Sequence, residues 1–186
     1  MSPDGLRVVA GTECGTLGLL DVPSQSYSTL LRAHTGVVHT VAAMAGGQQF
    51  CTGSADGTAR VWDAASQQQV LELYSPDEEV LCVACSPGRS EVACGFSTGT
   101  VRVFDVGSAG LVQETQQHGS AVRQLEYGQH GRVLFSLGES PQQLAASCLE
   151  LPPHAVSCLE LLPACCCMPQ VALTRQLVDA RPHFHG

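Results

Sequence analysis

Basic side chains are scarce in this chain. Nine Lys and Arg residues are scattered singly among seventeen acids, giving a formal charge of −8 and a pI near 5.2. With no basic stripe to neutralise a run of phosphates, nucleic acid is excluded as an expected partner. Long apolar runs are missing too. No uninterrupted apolar stretch reaches the roughly 18 residues that a membrane helix needs, so no membrane association is expected. The opening Met1-Ser-Pro-Asp-Gly5 has neither the charged start nor the apolar run of a secretory signal, which leads to the expectation of a cytoplasmic or nuclear protein. What the 186 residues do have is 44% apolar content, enough for a packed core and against disorder throughout.

Ten cysteines are present, but their places argue against a disulfide framework. Cys14, Cys51, Cys82, Cys85 and Cys94 fall in or beside apolar strand-like runs, where a reduced cysteine behaves as a small hydrophobe. Cys82-Val-Ala-Cys85 has the spacing of a zinc half-site, yet residues three apart on a strand point to opposite faces and no second pair follows. No metal and no cofactor is expected.

The strongest signal is periodic. A unit recurs in register every 42 residues: Gly11 to Asp21, Gly53 to Asp63 and Gly95 to Asp105. Each copy holds a glycine turn at Gly15, Gly57 or Gly99 between two short apolar runs, which is the pattern of a β-hairpin. Further strands are expected at Tyr27 to Leu31, Val70 to Tyr74, Val80 to Ala84 and Leu111 to Thr115, for about thirteen between Leu6 and Leu137. His34 and His118 lie 84 residues apart, two periods, each just ahead of an apolar run. Apolar residues at both parities imply that both sheet faces are covered, as in stacked sheets.

With Trp62-Asp63 closing the middle copy, residues 6 to about 137 resemble the WD-repeat β-propeller family. The resemblance implies an all-β fold of about three four-stranded blades in an incomplete ring. It also implies a structural relay of His34, Ser54, Asp56 and Trp62, in which the indole N–H, the imidazole and the carboxylate satisfy one another. The flanking copies are degenerate: Leu20 and Phe104 stand in the place of Trp62, and Cys14 and Thr98 in that of Asp56. More narrowly, Ser54 to Gly88 and Gly15 to Val41 are similar to a centriole- and cilium-associated member of the family, which implies a long parent, microtubule or centriole partners, a role in cilium building, and a place at the centriole, centrosome or cilium base.

Residues 139–186 read as a separate Pro/Cys-rich tail, expected to be irregular, beginning where Pro141-Gln142 replaces the next turn and third strand. Cys165 to Cys167, His183 and His185 invite a metal or acylation reading, against which stand the adjacency of the cysteines and the flanking Pro163 and Pro169. Three functional readings remain. The first is a non-catalytic scaffold whose exposed surface, with His39, Arg60 and Arg102 as candidates, meets other proteins; Arg60 and Arg102 share a strand offset, which favours an ordinary blade role. The second is a truncated isoform or gene fragment without activity of its own. The third is a hydrolase using His34, Ser54 and Asp56, disfavoured because no Gly-x-Ser-x-Gly elbow surrounds Ser54.

Overall fold

Short strands joined by tight turns must fold back on themselves, and the chain forms thirteen such strands between Arg7 and Gly138. The computed structural model describes residues 5–30, 33–139, 145–151 and 172–173. Its first sheet is the three-stranded meander β1 (Arg7–Gly11), β2 (Leu17–Asp21) and β3 (Ser26–Leu30). The second holds β4 (Val38–Ala43), β5 (Gln49–Ser54), β6 (Thr58–Asp63) and β7 (Gln69–Tyr74). The third holds β8 (Val80–Cys85), β9 (Glu91–Phe96), β10 (Thr100–Asp105) and β11 (Gly110–Gln116). The fourth holds β12 (Val122–Tyr127), β13 (Val133–Gly138), β14 (Ala145–Glu150) and β15 (Ala172–Leu173). Every pairing between strands adjacent in sequence is antiparallel except β14–β15, which is parallel. The fold is all-β, made of blade-like sheets that do not close a ring.

Two turns recur with the period. In the first, Gly15, Gly57 and Gly99 have φ of 77°, 78° and 90°, the left-handed region open to glycine. Their carbonyls accept the N–H of His34, Ser75 and His118 at 2.8, 2.9 and 3.1 Å, tying each turn to the segment that leaves the outer strand. That tie leaves no space. A Cβ on Gly57 would stand 2.5 Å from the Ser75 carbonyl oxygen. In the second turn, Asp21, Asp63 and Asp105 end β2, β6 and β10, and the Oδ1 of each accepts both the N–H and the O–H of Ser24, Ser66 or Ser108. These hydrogen bonds hold all three carboxyls below their ordinary pKa. The residue after each serine, Gln25, Gln67 or Ala109, takes positive φ.

Sheets stack through opposite faces. Call the face of Trp62 the front and the other the back. Phe50 and Trp62, paired across β5 and β6, lie in one cluster with Leu17 from the back of the first sheet, and Val9 packs against it. Cys51 and Val61 on the back of the second sheet pack with Val92 and Phe96 of the third. Ala93, Val101 and Val103 on the back of the third pack with Leu134 and Leu151 of the fourth sheet and its end. The approach is close because Gly11, Gly53 and Gly95 meet Val38, Val80 and Val122 of the next inner strand. A Cβ on Gly53 would lie 2.6 Å from Val80, and one on Gly95 2.8 Å from Val122.

The fourth sheet departs from expectation. Ala145–Glu150, within the stretch assigned to the tail, forms β14 on β13, with the Leu151 N–H bonded to the Arg132 carbonyl at 2.9 Å and Leu151 fully buried. Gly95 faces Val101 in the third sheet, whereas Leu137 faces Ala146 in the fourth, so the connecting loop is three residues longer and shifts the repeat out of phase. Pro141 and Gln142 lie outside the described residues. Cys165 to Cys167, His183 and His185 lie outside the described residues.

The turn geometry yields a paired test. Gly46 also has positive φ, 88°, but a Cβ there meets nothing within 4 Å. Gly46→Ala should cost about 1 kcal/mol of backbone strain, and Gly57→Ala about 3 kcal/mol because strain and clash combine. Equal losses in urea titration would remove the steric argument.

Candidate functional site

The polar residues singled out from the repeat converge at one end of the second sheet. His34 arrives in the segment before β4, Thr52 stands on β5, Asp56 in the β5–β6 turn, and Thr58 and Trp62 on β6. Trp62 Nε1–H donates to Thr52 Oγ1 at 3.0 Å. Thr52 Oγ1 lies 2.7 Å from His34 Nε2, and His34 Nδ1 lies 3.1 Å from Asp56 Oδ2. Asp56 Oδ1 also accepts the Thr58 O–H at 2.6 Å and the Thr58 N–H at 3.0 Å, while Oδ2 accepts the Thr35 N–H at 3.0 Å.

One direction of protons satisfies every group. An indole can only donate, so Thr52 accepts from Trp62 and turns its own hydrogen toward His34 Nε2. His34 then carries its proton on Nδ1 and donates it to Asp56. Burial holds the His34 pKa below the ordinary 6.5 despite the facing carboxylate, so the contact is a hydrogen bond from neutral imidazole. For Asp56, burial alone would raise the pKa, but hydrogen bonds from Thr58 and Thr35, with His34 beside it, hold the carboxyl well below the usual range. Trp62 stacks on Phe50 with centroids 6.4 Å apart and planes 15° apart, so its ring is packed on one face and its N–H is spent at the edge.

Ser54 stands outside this chain of bonds. Its Oγ accepts the Asp56 N–H at 3.2 Å, and the hydroxyl between His34 and Trp62 belongs to Thr52. The expectation of Ser54 in that position is corrected by two residues along β5. The period contained the clue. Thr52 and Ser136 are 84 residues apart, as are His34 and His118, and His118 Nε2 lies 2.8 Å from Ser136 Oγ. The place of Ser54 in the fourth sheet is Gly138, whose missing side chain leaves room for the His118 ring. A hydrolytic triad also fails on geometry: Ser54 is fully buried and Asp56 reaches it only through a backbone N–H.

The third sheet fills the same region differently. Pro76, Cys94 and Phe104 cannot form such a chain, and Thr98 stands where Asp56 would. Glu78, from the loop before β8, supplies the carboxylate instead. It accepts from Ser75 Oγ at 2.7 Å and from Thr98 Oγ1 at 2.8 Å, and pairs with Arg102. Burial opposes the Glu78 charge, yet the Ser75 and Arg102 hydrogen bonds leave its pKa lowered. Arg102 donates through Nε to Glu114 at 2.8 Å and lies 4.5 Å over the Phe96 ring. Arg60 repeats the arrangement one period earlier, 3.2 Å from Glu72 and donating to the Ala33 carbonyl. Both arginines are therefore engaged within the blades. His39 sits at an irregularity of the β4–β5 register, 3.5 Å from Glu79.

Stacked antiparallel meanders, three of them carrying a serine-capped Asp turn before the outer strand, define a propeller-type repeat protein. Residues 24–63 and 67–105 match the WD domain, G-beta repeat, so the chain carries WD repeats. It is 36% identical over 182 residues to WD repeat-containing protein 90 of Mus musculus, which covers 98% of this chain and 9% of that protein. To the Xenopus tropicalis protein of the same name it is 45% identical over 56 residues, 30% of this chain and 3% of the relative. To Centriole proteome protein 16 of Chlamydomonas reinhardtii it is 59% identical over 34 residues, 18% of this chain and 2% of the relative. The chain thus spans less than a tenth of the curated relatives described.

Removing the bridging hydroxyl orphans two buried groups at once, whereas Ser54 serves one backbone donor. Thr52→Val should cost about 2 to 4 kcal/mol, Ser54→Ala about 1 kcal/mol, and Trp62→Ala about 3 to 5 kcal/mol, by denaturant titration monitored by circular dichroism. Below neutrality the pH dependence has one sign. His34 and His118 have lowered folded pKa values, so the unfolded chain binds more protons below 6.5 and stability falls as the medium is acidified from there. Asp56, lowered from 3.8, adds a second loss at lower pH. His34→Gln should flatten the first part of the curve in thermal melts.

Proposed function

We propose that the chain is a non-catalytic protein-interaction scaffold, the propeller part of a larger WD-repeat protein acting at centrioles and in assembly of the primary cilium, in association with microtubules. The observation that carries the location is likeness to Centriole proteome protein 16 and to WD repeat-containing protein 90. Support for the scaffold reading comes from the site: its histidine, hydroxyls and carboxylate are buried and spent on one another, so they hold the second sheet in shape. The relay of His34, Thr52, Asp56 and Trp62 is a structural device in this reading. Partner contacts fall to the exposed outer strands and loops, where Tyr74 is 68% exposed.

A fluorescently tagged chain should concentrate at centrioles in ciliated cells and sediment with polymerised microtubules. Trp62→Ala should reduce both in proportion to the folded fraction. Diffuse cytoplasmic signal from a chain shown to be folded would reject the centriolar assignment. Hydrolytic turnover that survives Trp62→Phe and is lost in Ser54→Ala would reject the non-catalytic one.

A further inference from the structure

The repeat breaks its own pattern at Ser75. One period before and after it stand Ala33 and Gln117, each followed by histidine, whereas Ser75 is followed by Pro76. Asp77, Glu78 and Glu79 come next, so a serine–proline step opens onto a run of carboxylates. This loop joins β7 to β8 through a turn at Pro76 and Asp77, both exposed, and Ser75 itself is half-buried at its start. Other serine–proline steps exist at Ser2, Ser86 and Ser140. Ser2 and Ser140 lie outside the described residues. Ser86 is 1% exposed, and a Cβ on Gly131 would stand 2.5 Å from its Oγ, so packed sheets close it to an enzyme.

A cation is already at the Ser75 hydroxyl. Arg102 Nη1 donates to Ser75 Oγ at 2.6 Å, and the Ser75 O–H is donated to Glu78 Oε2 at 2.7 Å. One period earlier Arg60 donates to the Ala33 carbonyl, where there is no hydroxyl to modify. The Arg102 guanidinium also pairs with Glu78 and, through Nε at 2.8 Å, with Glu114. It is fully committed. A phosphoserine carries a charge of about −1.5 to −2 and three strong acceptor oxygens, more than a carboxylate brings to the same guanidinium. On Ser75 Oγ it would stand against Glu78, like charge on like, and Glu78 must give way. Glu78 holds Thr98 Oγ1 at 2.8 Å, and beside it Glu79 exchanges bonds with Ser97, its N–H to Ser97 Oγ at 3.2 Å and its carbonyl accepting the Ser97 N–H at 3.0 Å. Displacing Glu78 therefore loosens the loop from the β9–β10 turn.

We propose that Ser75 is a phosphorylation site for a proline-directed kinase, and that its phosphate takes Arg102 from Glu78 and releases the β7–β8 loop. Ser75 Oγ attacks the γ-phosphorus of ATP, the new O–P bond forming as the bridging P–O bond to ADP breaks, and the hydroxyl proton passes to the base of the kinase. ADP leaves. The result is a charge-controlled change in the exposed loop between the second and third sheets, with the strands themselves kept.

The test treats the full chain, shown to be folded by circular dichroism, with a proline-directed serine/threonine kinase and magnesium ATP, and maps the product by mass spectrometry. One phosphoryl group should enter at Ser75 and none at Ser86, and the Ser75→Ala chain should lack it. Phosphorus NMR of the product should place the second phosphate pKa about 0.5 unit below that of the same chain unfolded in urea, because Arg102 faces the phosphate once Glu78 has left. Hydrogen exchange at the Glu79 and Ser97 amides should quicken roughly tenfold. A folded chain left unmodified at Ser75 overturns the proposal, as does equal labelling of Ser75 and Ser86, which would make an unfolded form the substrate. A phosphate pKa equal to or above the unfolded value overturns capture by Arg102, and unchanged exchange at both amides overturns release of the loop.

Discussion

The spacing between adjacent sheets depends on one contact, the seating of an inner-strand valine against a glycine of the preceding sheet. Gly53 receives Val80 and Gly95 receives Val122, and a Cβ at either glycine would stand 2.6 or 2.8 Å from the valine, too close for the sheets to keep this spacing. At that separation the remaining apolar residues touch: Cys51 and Val61 reach Val92 and Phe96, and none of the four exceeds 2% exposure. Burial is non-directional, so it cannot fix which residue faces which. The glycine–valine seat does so at each junction.

Polar groups at the ends of the sheets solve a different problem. Each turn must be closed against the segment that leaves the outer strand, and a carboxylate accepting several short hydrogen bonds does this well. The second sheet places the carboxylate in the turn, as Asp56, and connects it to the core through His34, Thr52 and Trp62. The third sheet brings it from the opposite side, as Glu78, and anchors it with Arg102 and Thr98. The fourth keeps only His118 and Ser136. What is common to the second and third is an ionised acceptor with its donors arranged around it. The identity of those donors is free to vary as long as no buried donor is left alone.

Much of this was legible in the sequence because the period is exposed by turn residues whose chemistry has no substitute. Gly15, Gly57 and Gly99 need positive φ, and Asp21, Asp63 and Asp105 need a carboxylate three residues before a serine. The thirteen strands up to Gly138 follow from those marks. Two features were obscured. Ser54 and Thr52 share a strand face and both carry hydroxyls, so one copy of the unit does not choose between them; the recurrence of Thr52 as Ser136 and the distance from the imidazole do. β14 was hidden because a loop three residues longer breaks the phase, and because Ala145–Glu150 lacks the turn glycine that announces the other third strands. Its Leu149 faces Leu134 as Trp62 faces Phe50, a likeness visible only once the strands are paired.

The two matched WD repeats are not the sheets. Residues 24–63 begin with β3, the outer strand of the first sheet, and run through β4, β5 and β6 of the second; residues 67–105 begin with β7 and run through β8, β9 and β10 of the third. Each sequence unit therefore gives its first strand to one sheet and the next three to its neighbour. The side chains follow the same overlap: Gln67 Nε2, opening the second unit, donates to Ser28 Oγ in the first at 2.7 Å. An outer strand held in this way cannot leave its sheet without pulling on the inner strand of the next, so loss of one junction is felt at both. Stability in such an array is a property of neighbouring pairs, and the relay in the second sheet is placed where it braces a sheet with neighbours on both sides.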